Sequence, residues 1–298
     1  CTNITDISGV TFGEKITSTD TWYPPNLTTA NNVTIKNRGV SFEGNTTLQY
    51  CNNLRSYYPK NFGGCKALVE LKNLLIKSEN GTVISDYGIS AYRGCSKLKI
   101  ITFDPNCKIK YISCDFMFIE NPLLEEIDFG GGVTLEPKES GEYVFGSNAI
   151  KTIKNMKVGG TSTKARFSGY STDNYGIDFL NLEYLDCTIM TQEASKFFKG
   201  SGIKDVSNIK FDTSIGDLSE SFMNNRLLLQ DVEVQSHIRN CSSMFKNCTA
   251  LTHIRSNWDN SYTNGITATG CYSGCTAVTH IDDKNVLAYE GDVGIDYV

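Results

Sequence analysis

One recurring pattern constrains the fold of this chain more than any other feature. An aromatic residue is followed three positions later by Cys or Asn, then three later by an aliphatic, then three later by a second aliphatic. It runs in full register as Phe62, Cys65, Leu68, Leu71; as Tyr92, Cys95, Leu98, Ile101; and as Phe118, Asn121, Leu124, Ile127. It returns as Phe245, Cys248, Leu251, Ile254 and as Tyr272, Cys275, Val278, Ile281. With 15 Phe and 15 Tyr in 298 residues, and with Ser admitted beside Cys and Asn at the second position, chance would supply only about 0.25 such matches.

Looser copies keep the phase between the clean ones. Phe145, Asn148, Ile150, Ile153 and Phe198, Ser201, Ile203, Val206 are short by one residue, and Phe222, Asn225, Leu229, Val232 is long by one. A ninth copy holds the aliphatic pair Leu182 and Leu185, with Tyr175 as its anchor. The eight steps from Leu68 to Val278 give a mean period of about 26 residues. After the last aliphatic the chain alternates like a short strand, as in Ile101-Thr102-Phe103 and Ile127-Asp128-Phe129. The anchors, as in Ser221-Phe222-Met223, show no such alternation and read as irregular or helical turns. A unit this small cannot bury its own apolar face, so neighbouring units must stack into a solenoid around a shared core.

The segments "FKNCTALTHI" and "YRGCSKLKIITF" resemble the repeats of BspA-like leucine-rich repeat proteins, over roughly residues 42 to 289. That resemblance implies one parallel strand per repeat on one face and a role at cell surfaces, often in adhesion. Variable repeat length and an apparent insertion from Gly130 to Tyr143 depart from the pattern. The expected organisation is an N-terminal cap or linker over 1–40, about nine repeats over 41–285, and a C-terminal cap over 286–298.

With 40% hydrophobic and 20% charged residues the chain can bury a core and lacks the composition of a disordered protein. A net charge of −5 argues against nucleic acid, which needs clustered Lys and Arg. No apolar run approaches the length of a transmembrane helix. Cys1 reads either as the lipidated terminus of a processed surface protein or as the start of a fragment.

Eleven cysteines would ordinarily suggest a disulfide framework, but Cys51, Cys65, Cys95, Cys248 and Cys275 occupy or resemble the position that Asn121, Asn148, Ser201 and Asn225 fill elsewhere. Such a position needs a small buried donor rather than a bridge. Local disulfides Cys271 to Cys275 and Cys241 to Cys248 remain open. No cofactor and no zinc-type cysteine spacing is evident. His253 and His280 recur at the same point of successive repeats, in "ALTHI" and "AVTHI", so they read as a repeat echo before a site. No phosphate-binding loop, nucleophile elbow or metalloprotease motif is present, so an enzyme is not expected.

Residues flanking each inward aliphatic should point outward from the same strand. They include Glu70 and Lys72, Glu126 and Asp128, Tyr184 and Asp186, Asp205, Asp231 and Glu233, His253 and Arg255, and His280 and Asp282. The acidic bias suggests a groove for a basic or amine-rich partner. The expected function is non-enzymatic recognition of a host or neighbouring-cell surface protein or glycan by a secreted or surface-anchored protein. The alternative is a phage or virion component, as a capsid decoration or part of a receptor-binding fibre.

Overall fold

The computed structural model describes residues 3–14, 22, 24–136, 144–146, 149–159, 181–191, 194–211, 216–231, 238–255 and 267–282. Among them every strand pairing is parallel and no helix occurs. The chain is a parallel β-solenoid. Its principal strands are Glu70–Ile76, Ile100–Phe103, Glu126–Asp128, Thr152–Val158 and Tyr184–Ile189, paired in that order. Register places Leu71 beside Ile101, Ile101 beside Ile127, Ile127 beside Ile153, and Ile153 beside Leu185. All five are buried, so the last aliphatic of each repeat forms one continuous inner row.

The aromatic anchors form a second row. Phe42, Phe62, Tyr92, Phe118 and Phe145 stack at ring-centroid distances of 5.1, 6.1, 5.4 and 5.4 Å. Phe198, Phe222, Phe245 and Tyr272 continue the device at 5.7, 5.4 and 5.5 Å. Of the irregular or helical turns expected at the anchors, the described residues show the irregular kind, for a physical reason. The anchor amides bond to the next coil, as in Phe62 N–H to Ala91 O at 2.8 Å and Phe118 N–H to Val144 O at 2.8 Å. Those donors are therefore not free for the i to i−4 bonds of a helix.

The Cys or Asn position serves the same stacking. Cys65 Sγ lies 2.9 Å from Phe42 O, Cys95 Sγ 3.0 Å from Phe62 O and Cys275 Sγ 3.0 Å from Phe245 O. Asn121 donates to Tyr92 O at 2.9 Å and to Phe118 O at 3.0 Å, while its Oδ1 accepts from Cys95 N–H at 2.8 Å. A short donor here satisfies a buried carbonyl of the preceding coil, which is why Cys, Asn and Ser interchange. The ten described cysteines are free. Cys241 faces Cys271, and Cys248 faces Cys275, across coils, so the local pairs Cys271 with Cys275 and Cys241 with Cys248 do not form.

Four further features refine or correct the expected pattern. First, the coils carry a second strand. Ile84–Tyr87, Ile109–Ile112 and Val133–Glu136 pair with one another, and the last joins Lys157 and Val158. Residues from Gly130 onward are therefore a rung of the coil and not an insertion, with 137–143 outside the described residues. Glycine is required at that entry, because a Cβ on Gly132 would lie 1.9 Å from Cys107 O.

Second, the coil begins before residue 41. Thr11–Phe12 pairs with Thr34–Ile35, which pairs with Arg55–Ser56, and bridges run from Asp6 to Thr29 to Tyr50 to Glu70. The segment 1–40 thus contributes rungs with Leu27, Ala30 and Val33 in the core. The C-terminal segment 286–298 lies outside the described residues. Third, Cys51 occupies the inner strand position beside Leu71, and Asn45 takes the donor position, bonding Pro24 O at 2.8 Å. Fourth, the Phe222 repeat is in perfect register: Leu228 is 0% and Leu229 57% exposed, so the inner pair is Leu228 and Asp231. Val232, like Tyr175, Asn148 and Glu233, lies outside the described residues.

The turn between the two strand stretches is held by left-handed asparagines. Asn32, Asn53, Asn73 and Asn155 have φ of 57, 56, 56 and 54°. Asn tolerates that region better than other side chains with a Cβ. Asn53 donates to Asn32 and Asn73 to Asn53, each at 2.9 Å, which makes a ladder along the corner.

Candidate functional site

Strand alternation that buries one row must expose the next. Register links Thr29, Tyr50, Glu70, Ile100, Glu126, Thr152 and Tyr184 as consecutive outward-facing residues, one per coil. At about 4.8 Å per rung the six steps extend about 29 Å. Tyr50 and Tyr184 are 40% and 42% exposed near its ends, and Ile100 is half-buried at its middle. A parallel column two residues on contains Asn52, Lys72, Thr102, Asp128, Lys154 and Asp186.

The carboxylates of this face are matched. Glu70 pairs with Lys72 at 2.6 Å and accepts from Asn52 at 2.8 Å, and the Lys72 ammonium holds its carboxyl below the usual range. Lys154 meets Glu126 across one rung at 2.9 Å, which raises the lysine above its ordinary value. Asp128 accepts from Gly130 N–H at 2.9 Å and Asn155 at 2.8 Å. Asp186 lies 3.9 Å from Lys210 and accepts from Asn155 N–H at 3.3 Å. Asp205 is exposed but sits outside any strand, capping Ser207 N–H at 2.8 Å. The described face is therefore of mixed charge, and the acidic bias of the flanking residues overstates its field, because exposed pairs of this kind offset one another.

Asp231 does not belong to the face at all. It is 2% exposed, replaces the inner aliphatic of its coil, and accepts from Tyr272 Oη at 2.9 Å and from Arg255 N–H. Its outward neighbour is Gln230, which continues through His253 to His280 as a further outward row. There the structure brings three expected residues together: His253 Nε2 is 2.9 Å from Asp282 Oδ2 and His280 Nε2 is 3.5 Å from Asp282 Oδ1. Arg255 turns the other way, with Nη1 3.4 Å from Gln230 Oε1.

A cleft of about 420 Å³ near the N-terminus, lined by Glu14, Lys36, Arg38, Tyr57, Tyr58 and Glu79, was not expected from the repeat. Lys36 lies over Tyr57 at 5.8 Å and Arg38 over Tyr58 at 5.1 Å. These cations already occupy ring faces that a ligand would stack on. Among the described residues no helix is long and apolar enough to cross a membrane.

No family model and no curated protein matches this chain. Among solved structures, a leucine-rich repeat protein from Bacteroides ovatus ATCC 8483 is similar over 99% of this chain and 91% of its own, at 14% identity and a TM-score of 0.28.

Proposed function

We propose that this chain is a non-enzymatic recognition scaffold, exposed at a cell surface or secreted, which binds a host or neighbouring-cell protein or glycan through its outward strand row. The observation that carries this reading is the unbroken register from Thr29 to Tyr184, which sets Tyr50, Ile100 and Tyr184 among paired charges. Exposed tyrosines ringed by polar groups are the composition of binding hot spots, since Tyr offers a large contact area and few rotors to freeze. Paired charges favour a partner of mixed polarity over a polybasic one. The resemblance of the repeat segments to BspA-like repeats supports the surface setting.

The test is a screen of glycans and matrix proteins with the wild-type chain, repeated with Tyr50→Ala combined with Tyr184→Ala. Loss of a hit by about tenfold or more with unchanged circular dichroism supports the row as the contact. A hit that the double substitution leaves intact places the contact elsewhere and overturns the reading. Charge reversal at Glu126 and Asp128 is a useful second probe, but Asp231 must be excluded from it, because Asp231→Lys would disrupt the core.

A further inference from the structure

The repeat sets two imidazoles, His253 and His280, side by side on adjacent rungs. Their ring centroids are 4.7 Å apart and meet edge to face. Asp282 lies two residues beyond His280, so strand alternation returns it to the same outward side. Its amide is fixed to Ile254 O at 2.8 Å, which carries the carboxylate toward both rings.

We propose that His253, His280 and Asp282 form a surface site for a divalent transition-metal ion of the Zn²⁺ class. One ligand atom from each lies within 4.8 Å of the other two. Around zinc, bonds of about 2.0–2.2 Å in a tetrahedron set ligand atoms about 3.4 Å apart. The imidazole-to-carboxylate distances, 2.9 Å to Oδ2 and 3.5 Å to Oδ1, involve different oxygens, so the carboxylate must turn to present one of them to an ion shared with both rings. The His280 side chain is exposed, which leaves its ring room to turn toward such an ion. Two imidazoles and a carboxylate, without thiolate, suit Zn²⁺, Ni²⁺ or Cu²⁺ over Ca²⁺ or Mg²⁺, and leave one coordination position to water. Arg255, in register beside Asp282, is a cation placed to oppose an ion, and its side chain is drawn toward Gln230. The site is independent of the Thr29 to Tyr184 row.

The experiment titrates Co²⁺ into the full chain and follows visible d–d absorption, then displaces it with Zn²⁺. The expected result is one equivalent bound, with no thiolate charge-transfer band, weakened about tenfold or more by His280→Ala and by Asp282→Asn. Binding that falls in acid is expected too, since imidazole ligands must be unprotonated. A thiolate band, no uptake by the wild-type chain, or uptake unchanged in His280→Ala overturns the proposal. His280 is exposed, so its replacement keeps the fold, and circular dichroism checks this.

Discussion

Among the described residues, Asp231 and Lys60 are the carboxylate and the ammonium that the coil shuts inside, and each leaves a measurable signature. Asp231 stands in the inner row, and Tyr272 is the anchor whose hydroxyl reaches it at 2.9 Å. Removing that donor by Tyr272→Phe should cost about 1–3 kcal/mol in a urea titration, the usual penalty for depriving a buried carboxylate of a partner. Combining it with Asp231→Leu should recover part of the loss, and additive single effects would refute the coupling. Lys60 donates to Asn37 O at 3.2 Å and Val40 O at 2.9 Å, and burial lowers its pKa from 10.5 to about 8. Its folded-state pKa lies below the unfolded one, so between about pH 8 and 10.5 the unfolded chain holds more protons and stability rises with pH. Cys107 acts in the opposite sense, because burial raises its thiol from 9.0 to about 11 and stability is lost across that window. The difference in stability between wild type and Lys60→Met, measured from pH 7 to 10.5, should isolate the lysine contribution, and a pH-independent difference would exclude it.

The five clean repeats were legible because each puts one aromatic against small and aliphatic residues, so its phase is unambiguous. The Phe222 repeat was misread because Leu227-Leu228-Leu229 gives no contrast and a carboxylate took the last inner place. The coils before residue 41 do not read as repeats because Ala30, which takes the inner place there, is too small to look like part of a hydrophobic row. A signal did exist there: "NNV", "NNL" and "KNL" at residues 31, 52 and 72 repeat the corner asparagine ahead of a buried residue. The face residues were legible wherever the register was right, whereas their charge pairing across rungs, as in Glu126 with Lys154, depends on side-chain conformation that no spacing encodes. At the corner, Asn53→Ala should cost about 1–2 kcal/mol, from a left-handed Cβ penalty plus two ladder bonds. Asn53→Gly should cost about half as much, because it keeps the backbone free while losing the same bonds. Equal midpoints in urea for the two variants would show that φ is not the constraint.

Across the whole molecule, each coil touches only its neighbours, so stability is a sum of coil and interface contributions and the thiols report it locally. Burial holds the Cys51, Cys114 and Cys187 thiols far above their ordinary value. Since the thiolate is the reactive form, peptides containing these residues should stay unlabelled by a disulfide reagent in native buffer and react only as urea opens their coil. Mass spectrometry of the labelled peptides should place Cys114, fully buried in the coil of Phe118 between those of Tyr92 and Phe145, among the last to react. Prompt labelling of Cys114 in native protein would contradict the packing.

The donor at the Cys or Asn position has a final consequence. Because that side chain bonds the anchor carbonyl of the preceding coil, every coil ends in the socket that the next one needs. Copying or deleting a whole unit, from one aromatic to the next, therefore rejoins compatible ends, while an edit of partial length breaks the column. Genetic expansion and contraction can thus set the reach of the molecule in increments of about 4.8 Å, like a ruler whose divisions are interchangeable.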